Sequence, residues 1–216
     1  MKNTAEYTIY NSVTPQTVTS STDASPSVVT KNSHGLASGD RIIITGHTTN
    51  IAINGIYDVV VLNANTFTLK DIDTGAAING SGGGAGSGGV MCVAPKIAFT
   101  EDFINAMIHV VTAGTSTFNL KVVGSQGKLL ADIGTRGTDR PNFGGTINDT
   151  NPYSNIQIID LDTGTAVNGA TGIALTGTDI NKQYEVNTNG MKYVTVIPDG
   201  WTQGSFTIKA KLYNNL

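Results

Sequence analysis

The chain carries little charge: Asp, Glu, Lys and Arg make up 13% of its 216 residues, about half the usual globular share. The Ala/Glu/Lys/Leu-rich composition of coiled coils and helical bundles is absent, which excludes both. Hydrophobic residues are 39% and the net charge is −3, the opposite of a chain kept disordered by charge. The single cysteine, Cys92, excludes an internal disulfide and suits synthesis in a reducing cytosol. No apolar run reaches the ~18 residues of a membrane helix. The first residues, MKNTAEYTIYNS, lack the apolar centre of a signal peptide. The 13 basic residues are scattered and outnumbered by 16 acidic ones, without the concentrated basic face that phosphate backbones require. Neither a membrane nor a nucleic acid is therefore expected as a partner.

In place of charge the chain has Thr, Asn, Ser and 26 glycines. Short β-branched runs alternate with turn residues: Val28–Thr30, Arg41–Thr45, Tyr57–Val61, Thr66–Leu69 and Val90–Val93. A second series follows at Met107–Thr112, Thr117–Val123, Asn155–Asp160, Met191–Ile197 and Ser205–Tyr213. This spacing predicts an all-β protein, a small barrel followed by an antiparallel sandwich. In the last run Phe206, Ile208, Ala210 and Leu212 alternate with polar residues, as in a half-buried strand. Asn54-Gly55 and Asn189-Gly190 fit tight turns, because both residue types tolerate positive φ.

Three segments organise the expected domains. Residues 1–15, with the alternating Glu6-Tyr7-Thr8-Ile9-Tyr10, predict an N-terminal arm able to pair as a strand with a neighbour. Residues 16–93 form the barrel module and 97–216 the sandwich, with Ala94-Pro95 at the boundary. The glycine-rich stretch GSGGGAGSGG from Gly80 to Gly89 is the sharpest break in composition. Thr100, Glu101 and Asp102 suit the start of a short helical turn. The Gly124–Pro152 connection is long for a compact domain and suggests a contact surface.

Asp71-Ile72-Asp73-Thr74-Gly75-Ala76-Ala77-Ile78-Asn79-Gly80 is echoed as Asp160-Leu161-Asp162-Thr163-Gly164-Thr165-Ala166-Val167-Asn168-Gly169. The unmatched flanks favour one hairpin solution reached twice over a duplicated domain. Aspartic proteases need two carboxylates about 3 Å apart on such turns, each preceded by an apolar pair that buries it. Asp71 and Asp160 occupy those preceding positions and oppose burial of Asp73 and Asp162. Calcium wants 6–8 oxygens, and neither copy carries a third carboxylate further on.

Gly84-Ala85-Gly86-Ser87-Gly88-Gly89 fits G-x-G-x-x-G, but a dinucleotide site needs a helix after it, and Val90–Pro95 reads as strand then stop. The expected role is a loop, flexible or packed against a neighbour. His34, His47 and His109 lack the spacing of zinc ligands, and no G-x-S-x-G elbow marks a nucleophilic serine. No catalytic residue, metal ligand or cofactor is expected.

Val29-Thr30-x3-His34-Gly35-Leu36-Ala37-Ser38-Gly39-Asp40-Arg41-Ile42, with Asn54–Val59 and Asn65–Leu69, resembles a small β-barrel module common in tailed-phage virion proteins. That module is labelled after the first catalytic-cysteine half-domain of ubiquitin-activating enzymes; the half in question supplies a fold and not the nucleophile. The resemblance implies a bend at His34-Gly35-Leu36 with Leu36 at the barrel end. It also implies a tight turn at Ser38-Gly39-Asp40, a hairpin closed by Asn54-Gly55, and Phe67 packed inward. The second half resembles a β-sandwich of small phage structural proteins, through Thr117–Val122, Asn151–Ile156, Asn168-Gly169-x2-Gly172-Ile173 and Val186–Tyr193.

Together these imply a structural protein of a tailed bacteriophage, made in the host cytoplasm and located in the virion. The expected role is a capsid decoration (cement) protein bound to the major capsid protein or neighbouring virion proteins, as a homo-oligomer with a trimer as the working guess. The alternatives are a tail, adaptor or baseplate component, or a carbohydrate-binding adhesion module. The last needs an exposed aromatic platform, for which Trp201 is the candidate, helped by Tyr153 and Tyr193.

Overall fold

The structure, a computed structural model, describes residues 6–71, 74–93, 103–125, 157–169, 171–188 and 193–214. The protein is all-β, and its one helical turn among the described residues is the 3-10 turn Ile51–Ile53. Two compact units emerge, one from residues 15–93 and one from residues 6–14 with 103–214.

The first unit comprises β2 (Gln16–Thr17), β3 (Ser20–Ser21), β4 (Val28–Thr30), β5 (Arg41–Thr45), β6 (Gly55–Asn63), β7 (Thr66–Asp71), β8 (Gly86–Ser87) and β9 (Val90–Val93). Gln16 and Thr17 pair with Met91 and Val90, and Ser20 and Ser21 with Ser87 and Gly86. Between them Val18 N–H donates to Gly89 O at 3.0 Å. Residues 16–21 and 86–93 are therefore two bent strands in one continuous antiparallel ladder. The β8–β9 strand also pairs with β5, β5 with β6, β6 with β7, β7 with β4, and β4 with β3. The pairings close a ring of six strands, which leaves little free backbone edge among the described residues.

Alternation fills the interior. Val18, Val29, Ile42, Ile44, Tyr57, Val59, Phe67, Leu69 and Met91 are buried together, with Leu36 packed against them. Burial of each large side chain contributes roughly 1.5–3 kcal/mol. Phe67 points inward and Gly39, at φ +97°, turns the chain before β5, both as the resemblance implies.

Asn54-Gly55 behaves differently from the expected tight turn. Asn54 is extended (φ −75°, ψ 125°), and the β5–β6 connection runs through 46–54 with the 3-10 turn inside it. The reason is side-chain bonding. Asn54 Oδ1 accepts from His47 N–H and its Nδ2 donates to His47 O, both at 2.8 Å. The amide side chain thus pairs with a peptide group as a strand would.

The second unit holds β1 (Tyr7–Val13), β10 (Asn105–Ala113), β11 (Thr115–Ser125), β12 (Gln157–Asp160), β13 (Ala166–Asn168), β14 (Ile173–Thr178), β15 (Asn181–Asn187), β16 (Tyr193–Asp199) and β17 (Ser205–Tyr213). One sheet has the order β1-β17-β10-β15-β12-β13 and the other β14-β11-β16. Ile108, Val110, Phe118, Leu120, Tyr184, Val196, Phe206 and Ile208 are among the residues buried between them. Phe206, Ile208, Ala210 and Leu212 all face inward, as their alternation predicts.

Residues 7–13, expected as an arm reaching a neighbour, pair instead with β17 of their own chain, from Tyr7↔Ala210 to Val13↔Phe206. Two apolar side chains decide this: Ile9 and Tyr10 are both buried. The barrel is consequently an insertion between the first and second strands of the sandwich. The expected helical turn at Thr100–Asp102, the Gly124–Pro152 connection beyond Ser125, and Asn189-Gly190 lie outside the described residues.

Candidate functional site

The most developed polar cluster lies on the barrel seam. Ser21 Oγ and His47 Nε2 are 2.9 Å apart, and His47 Nδ1 is 2.6 Å from Gly88 O. A carbonyl can only accept, so Nδ1 carries the proton and Nε2 accepts from the Ser21 hydroxyl. A hydroxyl, an imidazole and an oxygen that orients it form the arrangement used to activate a nucleophile. Here the orienting oxygen belongs to the backbone. Both side chains are nearly sealed, at 3% and 2% exposure, so no acyl substrate reaches Ser21. Burial holds the His47 pKa below its ordinary value, against the opposing pull of the Gly88 carbonyl.

The glycines of the 80–89 stretch are shaped to this cluster. A Cβ on Gly86 would stand 2.4 Å from both His47 Nε2 and Thr48 O, and one on Gly89 2.6 Å from His47 N. The stretch is thus barrel strand and close backbone packing, with neither phosphate cradle nor following helix among the described residues.

His34 is equally committed. Its Nε2 donates to Asn63 O at 2.9 Å, its Nδ1 accepts from Leu36 N–H at 3.0 Å, and its ring stands edge-on to Phe67. No lone pair remains for a ligand. His109 is partly exposed, with Nε2 2.7 Å from Asn181 Oδ1 and Nδ1 3.9 Å from Glu6 Oε1.

The two acidic echoes are hairpins of one design. Asp71 N–H donates to Ala76 O and Gly75 N–H to Asp71 O; Asp160 N–H donates to Thr165 O and Gly164 N–H to Asp160 O. Gly75 and Gly164 take φ +68° and +70°, which fits the left-handed position such turns require. Asp71 Oδ1 accepts from Thr74 N–H and its hydroxyl, and Asp160 Oδ1 from Asp162 N–H and Thr163 N–H. Each first aspartate ties its own turn. Asp162 pairs with Lys182, and Asp73 lies outside the described residues. Among the described residues no three His, Cys, Asp or Glu side chains come together as a metal site.

Trp201 is 3% exposed, with ring centroids 4.3 Å from Phe118 and 4.4 Å from Phe206. It is core and offers no face to a sugar ring. Tyr153 lies outside the described residues, as does the side chain of Tyr193. Burial pushes the Cys92 thiol up to about 12, far from the depressed values of reactive cysteines.

The Ser21–His47 pair left no trace in the sequence. The two residues lie 26 apart, and the third member is a main-chain oxygen carried by a glycine. No protein-family model, curated protein or solved structure matches the chain.

Proposed function

We propose that this chain is a structural subunit of a tailed-bacteriophage virion, a decoration protein seated on the head lattice. The observation that carries the reading is the internal commitment of its polar groups. His34, His47 and Asp71 on the barrel, and Asp160 on the sandwich, are bonded within the fold's own turns and seams. Its remaining polarity is Thr, Asn and Ser with few charges. Such a surface is covered by neighbours at low cost, because uncharged groups lose less on desolvation than ions do. A weak contact repeated over a symmetric lattice becomes strong by avidity. The partner is then the major capsid protein or an adjacent virion protein, and the oligomer a closed homo-oligomer.

Immunogold labelling of intact particles tests this directly. Label spread over the heads is the expected result. Label confined to tails would transfer the protein to an adaptor or baseplate role, and no label would remove it from the virion. Buried Trp201 argues against the adhesion alternative.

A further inference from the structure

We infer that the sandwich is a strand-exchange device, in which β1 of one copy seats on β17 of a second copy of the same chain. The groove is specific. Tyr10 stands edge-on to Phe206 with ring centroids 5.1 Å apart, and its hydroxyl donates to Val196 O of the opposite sheet at 2.9 Å. Ile9 is buried beside it. A single edge strand therefore closes one side of the sandwich and carries its own anchors. This is the geometry by which an added strand gains affinity from main-chain bonds and specificity from pocketed side chains.

The connection of β1 to the rest of the chain favours exchange. Among the described residues β1 is the only sandwich strand that precedes the barrel, and Pro15 begins the barrel unit directly after Thr14. Pairing with β17 slips twice, between Thr8 and Tyr10 and again between Tyr10 and Val13, where three steps along β1 span two along β17. Ser12 occupies the second slip at φ +50°, a left-handed conformation that non-glycine residues rarely adopt and that holds strain. Its N–H is fixed by Thr207 Oγ1 at 3.0 Å. Strained hinges beside an exchangeable element invite domain swapping. In the exchanged form Ile9 and Tyr10 keep the same socket, while residues 11–13 straighten into the link between copies and Ser12 is relieved. The anchor and the hinge are thus separate residues of one strand.

Thr8 and Lys209 are register partners, and cysteines at directly opposed strand positions lie within disulfide range. The full-length double variant T8C/K209C first confirms that the pair closes within one folded chain. Single variants T8C and K209C, one bearing a size tag, are then unfolded, mixed, refolded at high concentration and oxidised. The expected product is a covalent heterodimer of T8C with K209C, absent when K209C is replaced by Q183C on the non-adjacent strand β15. Adding S12G to the T8C chain relieves the hinge in place, and relief worth about 1 kcal/mol lowers the heterodimer about fivefold. Intrachain closure in the double variant without heterodimer in the mixture overturns the exchange. A heterodimer unchanged by S12G overturns the hinge. Purified protein alone suffices, so either result is independent of where the protein resides in a particle.

Discussion

The Tyr10 hydroxyl donates to the Val196 carbonyl at 2.9 Å, joining strands that belong to opposite sheets and lie 186 residues apart. Removing only the hydroxyl, in Tyr10→Phe, strands a buried carbonyl and should cost about 1–3 kcal/mol. Tyr10→Ala also empties the space against Phe206 and should cost about 3–5 kcal/mol. Denaturant midpoints of the two variants separate the parts: an unchanged midpoint in Tyr10→Phe would mean that the hydroxyl contributes nothing, and equal losses in both would mean that the ring contributes nothing.

His47 makes stability depend on pH in a defined direction. Its pKa is lowered in the fold, chiefly by burial, so the unfolded chain binds the proton more readily. The contribution is complete above the ordinary value of about 6.5, begins to fall below it, and is gone once pH has passed below the lowered value of the folded state. Denaturant midpoints measured at pH 7.5 and 5.5 should drop more for the native chain than for His47→Gln. Equal slopes in the two proteins would remove His47 as the source.

Two neighbouring glycines should respond unequally to alanine. At Gly88, φ is +71° and a Cβ meets nothing, so Gly88→Ala costs only the left-handed penalty of about 1–2 kcal/mol. At Gly89, φ is +78° and the Cβ would lie 2.7 Å from Thr45 O as well as against His47 N. Gly89→Ala adds backbone displacement and should approach loss of the barrel. Thermal melts of both variants decide the matter, since a merely flexible linker would tolerate either change.

The hairpin aspartates act as acceptors, so Asp160→Asn should be nearly neutral while Asp160→Ala costs about 0.5–2 kcal/mol, the range of side-chain oxygens that bond free main-chain N–H groups. Calcium and a chelator should leave the melting temperature of the native protein unchanged. A rise with calcium would return the acidic turns to the list of metal sites.

Cys92 is half-buried and its thiol is pushed up to about 12, so it should react with a disulfide reagent at pH 8 more slowly in the folded protein than in denaturant. Equal labelling rates in the native and denatured chain would contradict the raised value.

The barrel was legible where period-2 alternation met β-branched residues, and Arg41–Thr45 and Val90–Val93 are strands with the bounds expected of them. The seam was not. Ser20, Ser21, Gly86 and Ser87 carry no apolar pattern, and they are strands because the ring needs them to close. β15 escaped for a related reason. Its run NKQYEVN buries only Tyr184 and Val186 among polar neighbours. Gly75 and Gly164 did announce their hairpins, because a left-handed turn position selects glycine locally. The Ser21–His47–Gly88 cluster depends on a main-chain oxygen, to which no residue type points. Trp201 on its turn is the sequence's candidate platform, but exposure is set by long-range packing, and Phe118 and Phe206 enclose it in the core.

Inserting the barrel after β1 also orders events during synthesis. Thr207, which holds Ser12 in place, follows it by 195 residues, an interval of roughly 10–40 s at ribosomal elongation rates of about 5–20 residues/s. Every barrel strand is made within that interval, and its ring can close from its own residues. Ile9 and Tyr10 spend the same interval without their socket, exposed on the nascent chain. The last pairing of the sandwich is thus its most distant in sequence, and on a polysome any nearby chain with β17 already made competes for the waiting strand.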